Sequence, residues 1–247
     1  MKLKFLKTLI LIMITTGLRG QNVIGEVEYR YKIFYDKIYS SLPYLTQQER
    51  DRILLTWGNP EGYSTRMKLQ FWPEKSLYTF GEPYEVRSYS WQVEDYLIEN
   101  NLKDQTYLKY MDQMGKTFIV RDSLTAPKWR VMNEIRDILG HMCMKAVSED
   151  PVKGQKITAW FASDIPVPVG PEELFGLPGL ILAYDINDGM LIVEAEKITF
   201  GEPKEPITLP KKMKGREVSG TAYLDLVKDF IKTSIESKQA WMWEIRY

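Results

Sequence analysis

This 247-residue chain has one cysteine, one histidine and no net charge. The lone Cys143 has no partner within the chain, so no intrachain disulfide can form. A single histidine excludes a His-rich zinc site and the two-histidine helix of zinc proteases. Equal numbers of basic and acidic residues, 33 of each, argue against a nucleic-acid protein built on a broad basic face. The chain contains neither a Gly-x-Gly-x-x-Gly phosphate loop nor a Gly-x-Ser-x-Gly nucleophile elbow. No repeat of 20–50 residues is present, and no linker is long enough to demand two domains. What the chain does have is 44% apolar and 27% charged residues. That composition favours a sizeable buried core over disorder.

Residues 1–20 have the layout of a secretory signal peptide. Lys2, Lys4 and Lys7 form a basic start, Leu9 to Ile14 an apolar centre, and Gly17 and Gly20 a small-residue end. Thr15, Thr16 and Arg19 cut the apolar run below the roughly 20 residues of a membrane-spanning helix. Cleavage after Gly20 removes four basic residues and no acid, leaving a mildly acidic chain with no membrane span. The expected organisation is a leader over 1–20 and one domain over 21–247 with a C-terminal helical segment.

Glu26 to Tyr35, Arg66 to Trp72 and Lys156 to Ala162 are predicted strands. The first two alternate apolar and polar residues with period two, the mark of a half-buried strand. Leu77 to Phe80 is a short apolar run before a turn. Thr106 to Met111 and Lys116 to Asp122 read as a hairpin, and Trp129 to Ile135 and His141 to Ser148 flank Gly140. Asn187-Asp188-Gly189 joins Leu180–Tyr184 to Leu191–Phe200; Asp-Gly between apolar runs is a strong hairpin signal. Thr46-Gln-Gln-Glu49 is a capping box opening a short helix toward Trp57. Tyr223, Leu224, Val227, Phe230 and Ile231 recur at helical spacing. The predicted class is mainly β: a curved antiparallel sheet or half-open barrel with one or two covering helices. Trp241, Trp243 and Tyr247 alternate like the last strand of an outer-membrane barrel. The charged, proline-broken segments upstream do not supply the repeated apolar strands that such a barrel needs.

Gly176-Leu177-Pro178-Gly179-Leu180-Ile181 resembles the signature of the GLPGLI family, exported proteins of Bacteroidota with no established reaction. The ordered set Trp129, Gly140, Cys143 to Ala146, Ala159-Trp160-Phe161, Asp164-Ile165-Pro166, Gly170-Pro171 and Phe175 extends the resemblance over about residues 120–200. It implies an exported, envelope-associated protein. The signature holds no nucleophile, acid or base, and its side chains offer only backbone shape and an apolar run. A structural role follows: Pro178 fixes its own φ and biases Leu177 toward an extended form, and the glycines permit turns or close approach.

The candidate chemistry is sparse. His141-Met142-Cys143-Met144 gathers soft-metal ligands, but on a strand His141 and Cys143 face one side and the methionines the other. The plainer role for Cys143 is a small buried hydrophobe. Asp164 fits a turn cap, and Glu172-Glu173 after Pro171 fit the acidic first turn of a short helix. Trp160 joins an abundant aromatic set suited to packing. Three functions follow. The first is a non-enzymatic binding protein for a lipid or other apolar small molecule, laid out like periplasmic lipoprotein carriers, with no cofactor. The second is an envelope hydrolase using carboxylates near residues 164–185. The third is a transition-metal-handling accessory of outer-membrane uptake, working through an outer-membrane protein partner from the periplasm or the membrane surface.

Overall fold

The structure is a computed structural model that describes residues 23–84 and 95–239. The leader, Trp241, Trp243 and Tyr247 lie outside the described residues. The chain opens with β1 (Gly25–Ile33), α1 (Tyr35–Ser41), α2 (Gln47–Trp57), β2 (Tyr63–Trp72) and β3 (Lys75–Phe80). The middle holds β4 (Tyr96–Asn101), β5 (Thr106–Gln113), β6 (Lys116–Ser123), β7 (Arg130–Ile138), β8 (His141–Asp150) and β9 (Gln155–Ala162). It closes with β10 (Leu180–Ile186), β11 (Leu191–Phe200), β12 (Arg216–Ser219) and α3 (Gly220–Glu236).

The protein is mostly β. Among the described residues, twelve strands form one open mixed sheet in the order β12-β6-β5-β4-β3-β2-β1-β11-β10-β9-β8-β7. All neighbours are antiparallel except β12 and β6. Two meanders, β2 to β6 and β7 to β11, are joined where β1 pairs with both β2 and β11. One hydrophobic cluster gathers Val27 and Tyr29 of β1, Phe118 and Val120 of β6, Ile138 and Cys143 of β7 and β8, and Tyr223 and Val227 of α3. Both meanders therefore wrap around a common core, which α3 helps to cover.

The turn chemistry explains the hairpins. Asn187, Asp188 and Gly189 all take positive φ, the conformation that matches the twist of two antiparallel strands. The capping box is formed as well: Glu49 N donates to Thr46 Oγ1 at 3.3 Å, and Thr46 N donates to Glu49 Oε2 at 2.7 Å. Two local expectations are corrected. Tyr35 belongs to α1 rather than to the first strand, because the chain bends at Phe34, whose N–H is held by the Met190 carbonyl at 2.9 Å. Glu172 and Glu173 lie in a turn, not a helix; Glu172 has φ of 57°, outside the right-handed helical region. The strands β4 and β12 carried no clear alternation and were not predicted.

Candidate functional site

The segment between β9 and β10 crosses the core and returns through the Gly176–Ile181 signature. Gly179 is tied in place by space: a Cβ there would lie 2.7 Å from the Ala162 carbonyl carbon and 2.9 Å from Ser163 Cα. Gly176 is tied by conformation, with φ of +86°. Leu177, Leu180 and Ile181 are buried, while Pro178 is exposed. Ile181 N donates to the Val169 carbonyl at 3.0 Å, and Tyr29 Oη donates to the Ile181 carbonyl at 2.7 Å. Trp129 Nε1 donates to the Phe175 carbonyl at 2.8 Å. These bonds anchor the turn at 171–175 over the other half of the sheet.

That turn delivers two carboxylates to side chains far away in sequence. Glu172 accepts from the hydroxyl of Tyr96 on β4 and, at 3.4 Å, from that of Tyr78 on β3. Glu173 pairs with the ammonium of Lys109 on β5. Lys109 is only 4% exposed. Its Nζ sits 5.0 Å from the ring centroid of Tyr107 and 5.7 Å from that of Tyr223 on α3, positions where ring faces attract a cation. Desolvation raises the pKa of the Glu173 carboxyl, but the attraction of Lys109 and Lys153 outweighs it and holds the group below its ordinary value. Burial, with the negative charge of Glu173 and Asp122, pushes the Tyr107 phenol up. Asp122 accepts backbone N–H bonds from Ser123 and Gly220, which hold its carboxyl below the usual range and fix the start of α3.

The result is a pocket of about 280 Å³ lined by Asn100, Tyr107, Lys109, Asp122, Glu173 and Thr221, among others. It offers donors and acceptors of both signs beside an aromatic wall. Such a lining suits a small ligand rich in hydroxyl or amide groups. The hydrolase expectation looked to carboxylates near residues 164–185: Glu173 lines this pocket, while Glu172 turns to Tyr78 and Tyr96. Asp164 and Asp185 lie elsewhere. Asp164 Oδ2 accepts from His141 Nδ1 at 2.6 Å. Asp185 belongs to a second hollow, where burial and the neighbouring Asp188 raise its pKa.

That second hollow, of about 350 Å³, contains Trp160. Trp160 is partly buried, with Arg136 Cζ 5.0 Å and Lys145 Nζ 5.8 Å from its ring centroid. Cys143 is fully buried and its thiol is pushed up to about 12, chiefly by desolvation. Its Sγ donates to the His141 backbone carbonyl at 3.5 Å. Among the described residues, no three His, Cys, Asp or Glu side chains gather as a metal site. No described helix is long and apolar enough to cross a membrane. Sequence reasoning missed Lys109, Tyr107 and Tyr223. The available signal was a lysine set between Leu108 and Tyr110 on a strand whose neighbours are apolar or aromatic.

Residues 149–183 match a family model. Its description is "Protein of unknown function (Porph_ging)". The match runs from the end of β8 through Trp160, the carboxylate turn and the signature into β10. No curated protein matches the chain. The fold is similar to that of PNGF-II, seen in two crystal forms, with a TM-score of 0.55 and 18% identity. The similarity covers 83% of this chain but 32% and 33% of the PNGF-II chains, so this protein spans about a third of that length. At this identity the likeness concerns the fold alone.

Proposed function

We propose that the chain is an exported cell-envelope protein of the GLPGLI type, in the periplasm or at the outer membrane, that binds a small polar ligand without transforming it. Export rests on the basic-then-apolar order of residues 1–20, and the family on the signature and its ordered companions. The observation that carries the binding reading is Lys109: a buried ammonium at the pocket wall, balanced by Glu173 and faced by two tyrosine rings. Each charge of the lining is already met, Lys109 by Glu173 and Asp122 by backbone N–H groups, which favours a neutral, hydrogen-bonding ligand over a strongly charged one. A lipid or other apolar ligand would need space behind Leu180–Leu182. Those residues are fully buried, and neither of these two pockets is lined by them. Native mass spectrometry of protein isolated from the envelope tests the reading. A small polar adduct on the wild type, lost in Lys109→Met, is expected. An acyl-chain adduct retained in both would overturn it.

A second reading, a hydrolase, draws on one observation: Glu172 receives two tyrosine hydroxyls beside the Lys109–Glu173 pair. Turnover of chromogenic ester or glycoside substrates that disappears in Glu172→Gln would favour it over plain binding. Residual turnover equal in both forms would dismiss it.

A further inference from the structure

The strand β7 closes one edge of the sheet, and it is unusually bare. Val131 is 47% exposed, Ile135 66%, and Leu139 and Met142 of the following turn and strand 47% and 54%. An edge strand already presents unpaired backbone groups, and soluble proteins ordinarily blunt it with charge or cover it. Here Val131 and Ile135 stand exposed among the charged Arg130, Glu134, Arg136 and Asp137.

We propose that β7 is the docking surface for a second copy of this chain, with the two β7 strands antiparallel about a two-fold axis at Ile135. An antiparallel ladder alternates narrow and wide residue pairs. A two-fold axis must map each pair onto one of its own kind, so it has to pass where a residue faces its own copy. A centre at Glu134, Arg136 or Asp137 sets like charges face to face. A centre at Asn133 sets Arg130 against Arg136. A centre at Ile135 places Glu134 opposite the second copy's Arg136, twice, with Ile135 meeting itself.

Charge on the neighbouring strands extends the match. Within one copy, Lys145 Nζ pairs with Glu134 at 2.9 Å, and Arg136 pairs with Glu194 at 3.0 Å. The proposed register links them into a row of alternating sign: Lys145, Glu134, then the second copy's Arg136 and Glu194. A bulge between Val131 and Ile135 interrupts the pairing of β7 with β8. It keeps the new ladder short, and the side chains around Ile135 carry the contact.

Two experiments on the purified chain decide the matter. In sedimentation velocity over a wide concentration range, the wild type is expected to dimerise and Ile135→Lys to weaken the dimer at least about tenfold, with melting unchanged. Glu134→Arg and Arg136→Glu should each weaken it, and the double exchange should restore it. In the second, Ile135→Cys is oxidised beside a Lys153→Cys control; the native Cys143 is buried and does not compete. A disulfide-linked dimer is expected for Ile135→Cys alone. A chain that stays monomeric throughout, or a dimer indifferent to Ile135→Lys with no cross-link above the control, would overturn the proposal, and the latter would place the interface elsewhere.

Discussion

Lys109 and Glu173 meet at the pocket wall: the lysine is 4% exposed, while the glutamate side chain retains 56% of its exposure. The pair is therefore asymmetric. Glu173→Gln leaves a desolvated ammonium without its counter-ion. Its cost should be on the order of 1–3 kcal/mol, less than for a fully buried pair because water still reaches the carboxylate. Lys109→Met removes the charge that needed compensation and should cost less. Urea denaturation of both variants checks this order; a larger loss for Lys109→Met would contradict it.

Acid should weaken the same contact. The folded Glu173 carboxyl titrates below its unfolded value, so its stabilisation is complete above the unfolded pKa of about 4.3 and is lost as pH falls through the folded one. Asp122 carries the same sign, through its bonds to the backbone of Ser123 and Gly220. Melting temperature should fall from neutral pH into the acid range, and Glu173→Gln should flatten part of that fall. An identical slope in the variant would show that other groups account for it.

The signature glycines should fail for different reasons. Gly179→Ala drives a methyl group into the Ala162 backbone and should cost about 3 kcal/mol. Gly176→Ala places a side chain at positive φ and should cost on the order of 1–3 kcal/mol. Pro178 is exposed, and Pro178→Ala should cost only about 0.5–1 kcal/mol, mainly through the unfolded chain. Thermal melts of the three variants should rank in that order, with Pro178→Ala mildest.

Cys143 should behave as packing rather than as a reagent. With its thiol pushed up to about 12 by burial, alkylation near neutral pH should be slow in the native protein and fast in denaturant. Rapid native labelling would mean that the strand opens readily around it.

Much of the frame was legible in the amino-acid order because it is local. Period-two alternation exposed β1 and β2, positive-φ residues announced the β10–β11 turn, and Thr46 and Glu49 named their own helix start. The missed strands had little to declare: β12 is four residues long, and it is held by parallel pairing to β6. The candidate site was hidden for a related reason. Glu173 reads as an acid after a proline until the fold carries it to Lys109. No spacing rule connects a lysine on β5 with a turn that follows β9. Glu172 likewise reads as helical after Pro171, whereas its positive φ belongs to a turn anchored by the bond from Trp129 to the Phe175 carbonyl.

The place of β1 in the sheet sets a schedule. Of the described strands it is the first to be synthesised, yet it lies between β2, which follows soon after, and β11, which comes almost last. Each meander can zip locally, but joining them requires Tyr31 to find Val193 and Ile33 to find Leu191 across most of the chain. Contacts of such long range make folding slow. Until they form, the inner edge of β1 is open to other strands, so the nascent chain is most vulnerable to aggregation at a strand that ends up near the middle of the finished sheet.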